Sequence, residues 1–246
     1  RYGYGFVQGA NDAAKELGIT VDMKYSWQYA ANFSPSPDLQ AMISGWYETG
    51  TEIVFSCGGD IFDSVAAAAS ANDAAVVGVD VDQSSKSETV VTSAMKGLAE
   101  ATKWAVAKVY DGTFAEIGGK GLSLGVEDNA VGLPTATWSM ENYTVEEYEA
   151  LFAKVLSGEI VVDNNAPTEA GIKDVEFSNV VVDYESASHR VNLRGGGRGS
   201  APRPPLFWLE TGCFGRRNDL FRKALYSGNR FFLHFARRGI IMKCII

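Results

Sequence analysis

The feature that most constrains this sequence is the alternation of helix and strand patterns through residues 1–185. Residues 6–17 place apolar side chains at helical spacing, and residues 19–25 then alternate apolar and polar side chains as a strand does. Short, mostly apolar runs at residues 52–56 and 75–79 are typical of strands that are buried on both faces. This order predicts an α/β fold in which helices cover parallel sheets.

The same patterns predict the other elements of this part of the chain. Ser36 caps an amphipathic helix that has a proline and an acid in its first turn. A capping box formed by Thr144 and Glu147 begins another helix. The remaining predicted elements are helices over residues 61–71 and 93–110, and strands over residues 90–92, 121–126, 159–162 and 177–184.

Catalytic groupings are missing from residues 1–185. Both histidines, His189 and His234, lie later in the sequence, so this part has no Ser-His-Asp or Cys-His arrangement. It also lacks a phosphate-loop spacing and a dinucleotide fingerprint. Asp80 and Asp82 alone are a weak metal signal. We therefore expect a binding protein without cofactor or metal; an enzyme that relies on aspartate chemistry, or on Cys57 as nucleophile, is the alternative.

Polar residues stand at the points where three predicted strands end. Ligands of open parallel sheets bind beyond the carboxyl ends of the strands, so these residues are candidate ligand contacts. Carboxylates accept hydrogen bonds from vicinal hydroxyls, a lysine donates to the same groups, and glycines let the backbone approach closely. The candidates are Gly58, Gly59 and Asp60 after one strand, Asp80 and Asp82 after the next, and Lys96 after the third.

Each candidate also has a purely structural interpretation. Asp80 is suited to capping a turn, and Lys96 is equally consistent with an ordinary surface position. The aromatic residues Tyr4 and Phe6, near the first helix, either stack on a flat ligand or pack in the core.

Four segments resemble one family. They are RYGYGFVQGA at the start, VFSCGG at residues 54–59, GVDVDQ at residues 78–83 and TSAMK at residues 92–96. The chain up to about residue 185 is similar to the basic membrane protein (BMP, PnrA-like) family, lipid-anchored substrate-binding proteins of bacterial ABC importers. The order of the last two motifs after a Gly-Gly strand end is the most specific part of the likeness.

The resemblance implies a type I periplasmic-binding architecture, with two α/β lobes hinged around a purine nucleoside or similar small molecule. It implies that Phe6 stacks on the base, that Gly78 and Asp80 line the ribose site, and that Lys96 bonds the ribose. The implied partner is an ABC transporter permease at the extracytoplasmic face of the cell membrane, with membrane contact only through a lipid anchor. A sugar-binding protein, or the effector domain of a lactose-repressor-type regulator, is the alternative with the same architecture.

The resemblance also divides the chain. Residues 1–113 are expected to form the second lobe without its first strand, and residues 114–185 to return to the first lobe. Most of the first lobe, the signal sequence and the anchor cysteine are expected to be missing from this sequence.

The segment 186–246 differs from the rest in charge. It holds 12 Lys and Arg against 2 Asp and Glu, whereas residues 1–185 hold 10 against 28. No clear periodicity accompanies this basic, Arg-rich composition. We expect a non-native or disordered tail; an arm that binds nucleic acid is the alternative, and we expect no nucleic-acid partner.

Overall fold

The computed structural model describes residues 2–29, 33–163, 165, 167–168 and 171–185, and the backbone of residues 240–245. The helices are α1 (Tyr2–Leu17), α2 (Pro37–Glu48), α3 (Ile61–Ala71), α4 (Leu98–Tyr110) and α5 (Val145–Ser157). The strands are β1 (Val21–Ser26), β2 (Ile53–Ser56), β3 (Ala75–Asp80), β4 (Val90–Lys96), β5 (Val131–Gly132), β6 (Val180–Glu185) and β7 (Ile240–Ile245). Three short 3₁₀ turns lie at Phe114–Glu116, Val126–Asp128 and Gly171–Asp174.

All seven strands form one sheet in the order β5-β4-β3-β2-β7-β1-β6. Every pairing is parallel except the short one between β4 and β5, which is antiparallel. The strand β7 lies in the middle and pairs with β1 on one side and β2 on the other. The predicted α/β class with a parallel sheet is therefore confirmed.

Two apolar cores lie on opposite faces of this sheet. One core packs α2 and α3 against the sheet through residues such as Ile43, Phe62 and Val54. The other packs α1 against it through residues such as Val7 and Phe55. The neighbouring residues Val54 and Phe55 belong to different cores because successive strand residues point to opposite faces. Both faces of the central strands are therefore covered.

The helix ends follow the chemistry that the sequence predicted. The side chain of Ser36 accepts a hydrogen bond from the backbone N–H of Leu39 at 3.1 Å, which satisfies one free donor of α2. Thr144 and Glu147 form the predicted reciprocal capping box at the start of α5. Gly158 ends α5 in the left-handed conformation, which glycine adopts without strain.

The boundary between β4 and α4 was predicted wrongly. The sequence predicted a strand over 90–92 and a helix from residue 93, but β4 continues to Lys96 and α4 begins at Leu98. The extra residues pair with β3 in register, Ala94 with Val79 and Met95 with Asp80. Ladder hydrogen bonds to a buried neighbouring strand outweigh the local helix propensity of this segment.

Several other predictions differ from the structure. Residues 121–126 and 159–162 form no strand, and the predicted last strand occupies only Val180–Glu185. Helices α4 and α5 bury no residue among the described part of the chain, although their patterns predicted inward faces. Strand β6 pairs with β1 and forms one outer edge of the sheet, and β5 forms the other outer edge.

The predicted tail is described only at its end. Residues 240–245 form β7, an element that the irregular pattern of the segment did not predict. The rest of the tail prediction, over residues 186–239 and 246, falls outside the described residues. Within the described ranges, no helix has the length and apolar character needed to cross a membrane.

Glu52 gives the fold a testable dependence on pH. Burial raises the pKa of this carboxyl group from 4.5 to about 7. The folded state therefore holds the proton more tightly than the unfolded state. The protonated Glu52 carboxyl group therefore favours the folded state. This stabilisation is fully present below about pH 4.5 and is lost as the pH rises to about 7. In Glu52→Gln we expect this loss to be absent, so the variant gains stability relative to the wild type as the pH rises through this window.

Urea denaturation between pH 4 and pH 8 measures the effect. Glu48→Gln, on the exposed side of α2, is the matched control. A difference between Glu52→Gln and wild type that stays constant over this pH range would contradict the prediction.

Candidate ligand-binding site

The carboxyl ends of β2, β3 and β4 meet at one edge of the sheet because these strands are parallel neighbours. This is the edge at which open α/β sheets bind ligands. An open cleft of about 540 Å³ adjoins the ends of β3 and β4. Its size lies within the range of pockets that hold small organic molecules.

An ion pair between Asp80 and Lys96 lines this cleft. Asp80 is the last residue of β3, and Lys96 is the last residue of β4. Asp80 has a φ of 71°, a left-handed conformation that aspartate tolerates better than most residues. Both side chains are partly exposed, Lys96 at 43 % and Asp80 at 35 %. An ammonium has three donors and a carboxylate two oxygens, so the pair keeps capacity for a ligand's hydroxyl groups.

Tyr2 supports this ion pair from the first turn of α1. The ammonium nitrogen of Lys96 lies 5.2 Å from the centre of the Tyr2 ring, and the Tyr2 hydroxyl donates to the carbonyl oxygen of Met95 at 3.1 Å. Burial, with smaller effects of Asp80 and Cys57, raises the pKa of Tyr2 to about 12. Tyr2 therefore stays neutral at ordinary pH. The sequence interpretation did not single out Tyr2, although Tyr2 lies close to Tyr4 and Phe6, the aromatic positions that the interpretation did name.

Asp82 also lines the cleft, and both of its oxygens have partners within the protein. One accepts from the backbone N–H of Ser84 at 3.0 Å, and the other accepts from the Thr137 hydroxyl at 2.7 Å. The Ser84 N–H, followed by the Thr137 hydroxyl, lowers the pKa of Asp82. Asp82 thus fastens the loop after β5 to the edge of the sheet.

The side chain of Gln83 fills the space beside Gly78, where any other residue would place a Cβ atom. The Gln83 side-chain oxygen accepts from the backbone N–H of Val79 at 2.9 Å, and the Gln83 N–H donates to the Ser93 hydroxyl at 3.1 Å. A Cβ atom on Gly78 would lie 2.6 Å from the Gln83 oxygen and 2.7 Å from the Ser93 oxygen. The packing of this loop therefore explains the glycine.

Another part of the lining of the cleft is largely apolar. It comes from α5, β5 and the loop after β5, and includes Tyr148, Phe152 and Leu156. The Tyr148 hydroxyl accepts from the backbone N–H of Leu133 at 3.0 Å, which fixes the ring against the loop. The ring centres of Tyr148 and Phe152 lie 6.0 Å apart. The cleft therefore offers a charged wall and an aromatic wall.

The comparison with protein families decides what this molecule is. The family model of Bmp, described as ABC transporter substrate-binding protein PnrA-like, matches residues 1–166. The chain belongs to the Bmp family. It is a substrate-binding component of an ABC transporter, and it has the periplasmic-binding-protein-like α/β fold of that family. The resemblance that the sequence motifs indicated is thereby confirmed.

Membership sets the partners of this Bmp protein in general terms. Its ligand is a small molecule, and its protein partner is a transporter permease. The family is substrate-binding and non-catalytic, and its location is extracytoplasmic and associated with the membrane.

Five of the eight predicted site residues lie outside the lining of the cleft. Gly58, Gly59 and Asp60 form the turn between β2 and α3, one strand further along the same edge. Gly78 lies inside β3, under Gln83. Phe6 packs against Phe55, with 4.8 Å between the ring centres. Asp80, Asp82 and Lys96 are the predicted residues that the structure brings together in the cleft.

Phe33 covers the turn after β2. Its ring is close enough that a Cβ atom on Gly58 would lie 2.7 Å from a ring carbon. Phe33 is 45 % exposed and has a φ of 49°. The sequence interpretation missed it because a single phenylalanine in a polar loop carries no pattern.

The chemistry of this Bmp site is suited to holding a ligand. Among the described residues, no group of three or more His, Cys, Asp or Glu side chains could bind a metal ion. Burial raises the pKa of the Cys57 thiol to about 11, so this thiol stays protonated and is a poor nucleophile. The remaining groups donate and accept hydrogen bonds.

Substitution of Gly78 tests the packing explanation. In Gly78→Ala, the new methyl group would clash with the Gln83 and Ser93 oxygens, so we expect a loss of about 1–3 kcal/mol in the free energy of unfolding. Gly45→Ala is the matched control, because a Cβ atom there meets nothing within 4 Å. Gly45 lies within α2, where alanine is expected to stabilise the helix by about 0.5–1 kcal/mol. Chemical denaturation of both variants measures the difference, and equal stabilities would refute the explanation.

Proposed function

We propose that this protein delivers a purine nucleoside, or a similar small molecule with vicinal hydroxyls, to an ABC importer. In this proposal the ligand lies between two lobes, and Asp80 and Lys96 bind its hydroxyl groups. The observation that carries the proposal is the ion pair of Asp80 and Lys96 on the wall of a 540 Å³ cleft. Charged hydrogen-bonding groups at a partly enclosed site are well suited to a neutral ligand rich in hydroxyls.

The composition of the two walls supports a ligand with a polar and a flat apolar part. The polar part of the lining carries Asp80 and Lys96, and the apolar part carries the aromatic rings of Tyr148 and Phe152. Aromatic rings bind flat heterocycles by stacking, while charged groups bind hydroxyls. A nucleoside combines these two parts in one molecule.

The proposed two-lobe arrangement assigns the walls to different parts of the chain. Residues 1–113 are proposed as one lobe and residues 114–185 as the returning part of the other. In support, the lining of the cleft comes in part from residues 80–100 and in part from residues 129–156. Within residues 114–185, β5 and β6 pair with strands of the sheet of residues 1–113, so the returning part in this proposal is carried by the residues between them.

A sugar ligand is the second candidate, and the position of Phe6 favours it. Phe6 packs against Phe55 and is among the side chains packed on one core of the sheet. A sugar needs no aromatic partner for a base, whereas the family resemblance assigns the base to Phe6. Binding to the cell membrane through a lipid anchor is proposed for either ligand, on the same resemblance.

Calorimetric titration tests the ligand and the residues together. We expect guanosine, adenosine or inosine to bind to the chain more tightly than ribose does. Asp80→Ala and Lys96→Ala should each weaken binding by roughly 10–100-fold, because each removes hydrogen bonds to a charged group. Asp12→Ala and Lys15→Ala, exposed on α1, are the matched controls and should leave the affinity unchanged.

The outcomes separate the candidates. Binding of ribose with no gain for any nucleoside would favour the sugar receptor. Equal affinity of all four variants for the best ligand would exclude Asp80 and Lys96 as contacts. An absence of binding by wild-type protein of native circular dichroism would contradict both candidate functions.

A further inference from the structure

The hydroxyl group of Tyr148 is held at the lining of the cleft by β5 and the loop after it. The backbone N–H of Leu133 donates to this hydroxyl at 3.0 Å. A Cβ atom on Gly132 would lie 3.3 Å from the hydroxyl oxygen, closer than an ordinary contact, so the glycine allows the hydroxyl to approach β5. Gly132, Leu133 and Tyr148 all line the cleft. The hydroxyl oxygen is therefore fixed at the surface of the cleft.

The start of α5 fixes the same side chain from its backbone end. Tyr148 follows the capping box of Thr144 and Glu147, and its backbone N–H donates to the Thr144 carbonyl oxygen at 3.1 Å. Its ring contacts Trp138 and Phe152, with 5.6 Å and 6.0 Å between the ring centres. A side chain that is already ordered in this way loses little conformational entropy when a ligand binds.

The hydroxyl proton is the part of Tyr148 that the protein does not use. A phenol hydroxyl donates one hydrogen bond and also accepts. The N–H of Leu133 occupies an acceptor position, and within the described ranges the Tyr148 hydroxyl donates no hydrogen bond to the protein. The cleft therefore has a hydrogen-bond donor in its apolar part, next to the ring of Phe152.

We propose that the Tyr148 hydroxyl selects the ligand by donating a hydrogen bond to an acceptor atom of its flat part. The inference rests on the proposed function, in which a nucleoside occupies the cleft. The acceptor is a ring nitrogen or a carbonyl oxygen of the heterocycle. Phe152 offers ring surface without a donor, so Tyr148 is the specificity-determining residue in this part of the lining.

An unpaired donor makes the selection effective. A flat ring without a matching acceptor takes the hydroxyl out of water and gives it no partner, which costs free energy. Sites that hydrogen-bond a polar group of the ligand reject analogues that lack it more strongly than apolar pockets do. Analogues that differ in one ring atom or one carbonyl group stack on the same area, so the hydrogen bond decides between them.

Calorimetric titration of the full chain with matched nucleosides tests the proposal. The probes are inosine and three analogues that each lack one acceptor: 7-deazainosine, 3-deazainosine and purine riboside. We expect the wild type to bind one of these analogues about tenfold more weakly than inosine. Tyr148→Phe should bind inosine about tenfold more weakly than the wild type does, and should bind inosine and that analogue equally. Its affinity for ribose should be unchanged. Tyr110→Phe, on an exposed tyrosine outside the lining, is the matched control and should behave as the wild type.

The outcomes distinguish this inference from the function on which it rests. No binding of inosine by the wild type, or no gain of inosine over ribose, would overturn the proposed ligand and the inference with it. If the wild type binds inosine, three results would overturn the inference alone. They are equal affinity for inosine and all three analogues, unchanged binding of inosine by Tyr148→Phe, and an equal loss for every ligand, ribose included, in that variant.

A second variant keeps the proposal falsifiable if Tyr148→Phe does not fold. The methyl group of Gly132→Ala pushes on the hydroxyl, so the preference of the chain for inosine over the same analogue should fall by about threefold. Gly121→Ala, where a Cβ atom meets nothing within 4 Å, is its control. An unchanged preference in Gly132→Ala would contradict the proposal.

Discussion

The parallel ladder between β3 and β4 determines where the charged residues of the candidate site lie. It pairs Asp80 with Met95, the neighbour of Lys96, and so brings an acid and a base together at the edge of the sheet. The ladder runs past the point at which the local sequence favours a helix. If α4 began at residue 93, Lys96 would lie in the first turn of a helix and the ion pair would lose its geometry. The function of the site therefore depends on hydrogen bonds between backbone groups that carry no chemistry of their own.

The loop from Val81 to Thr89 has a supporting role that residue chemistry alone does not reveal. Its Gln83 occupies the space beside Gly78, and its Asp82 accepts a hydrogen bond from Thr137 in the loop after β5. The loop thus connects the strand that carries Asp80 to the segment that leads into α5. The hydrogen bond from Thr137 to Asp82 thus ties the loop after β5 to the loop after β3 beside the cleft.

The sequence predicted the sheet class and most helices well, and three of its candidate site residues line the cleft. Apolar runs of strand length and capping residues such as Ser36 and Thr144 act locally, so their consequences can be inferred from neighbours in the sequence. Asp80, Asp82 and Lys96 followed from the rule that ligands bind at the carboxyl ends of strands. The family resemblance independently implied two of these residues, Asp80 and Lys96.

The sequence is least informative where distant residues decide the local structure. The extension of β4 depends on pairing with β3, and the role of Gly78 depends on a side chain five residues away folding back over the strand. The contact of Phe6 with Phe55 depends on how α1 crosses the sheet. The central position of β7 has no local signal at all, because its partners lie more than two hundred residues away in the case of β1. The spacing of apolar residues along the sequence does not reveal which distant residues pair or pack together.

The two outer edges of the sheet differ in a way that affects self-association. One edge ends in β5, which has only two residues and offers little template for another strand. The other edge is the full-length strand β6, which carries Asp183 and Glu185, both ion-paired with Lys24 of β1. A second copy that added its own β6 edge to this one would bring like charges together. The acidic edge therefore opposes the joining of two copies through β6, although this strand also exposes the apolar side chain of Val181.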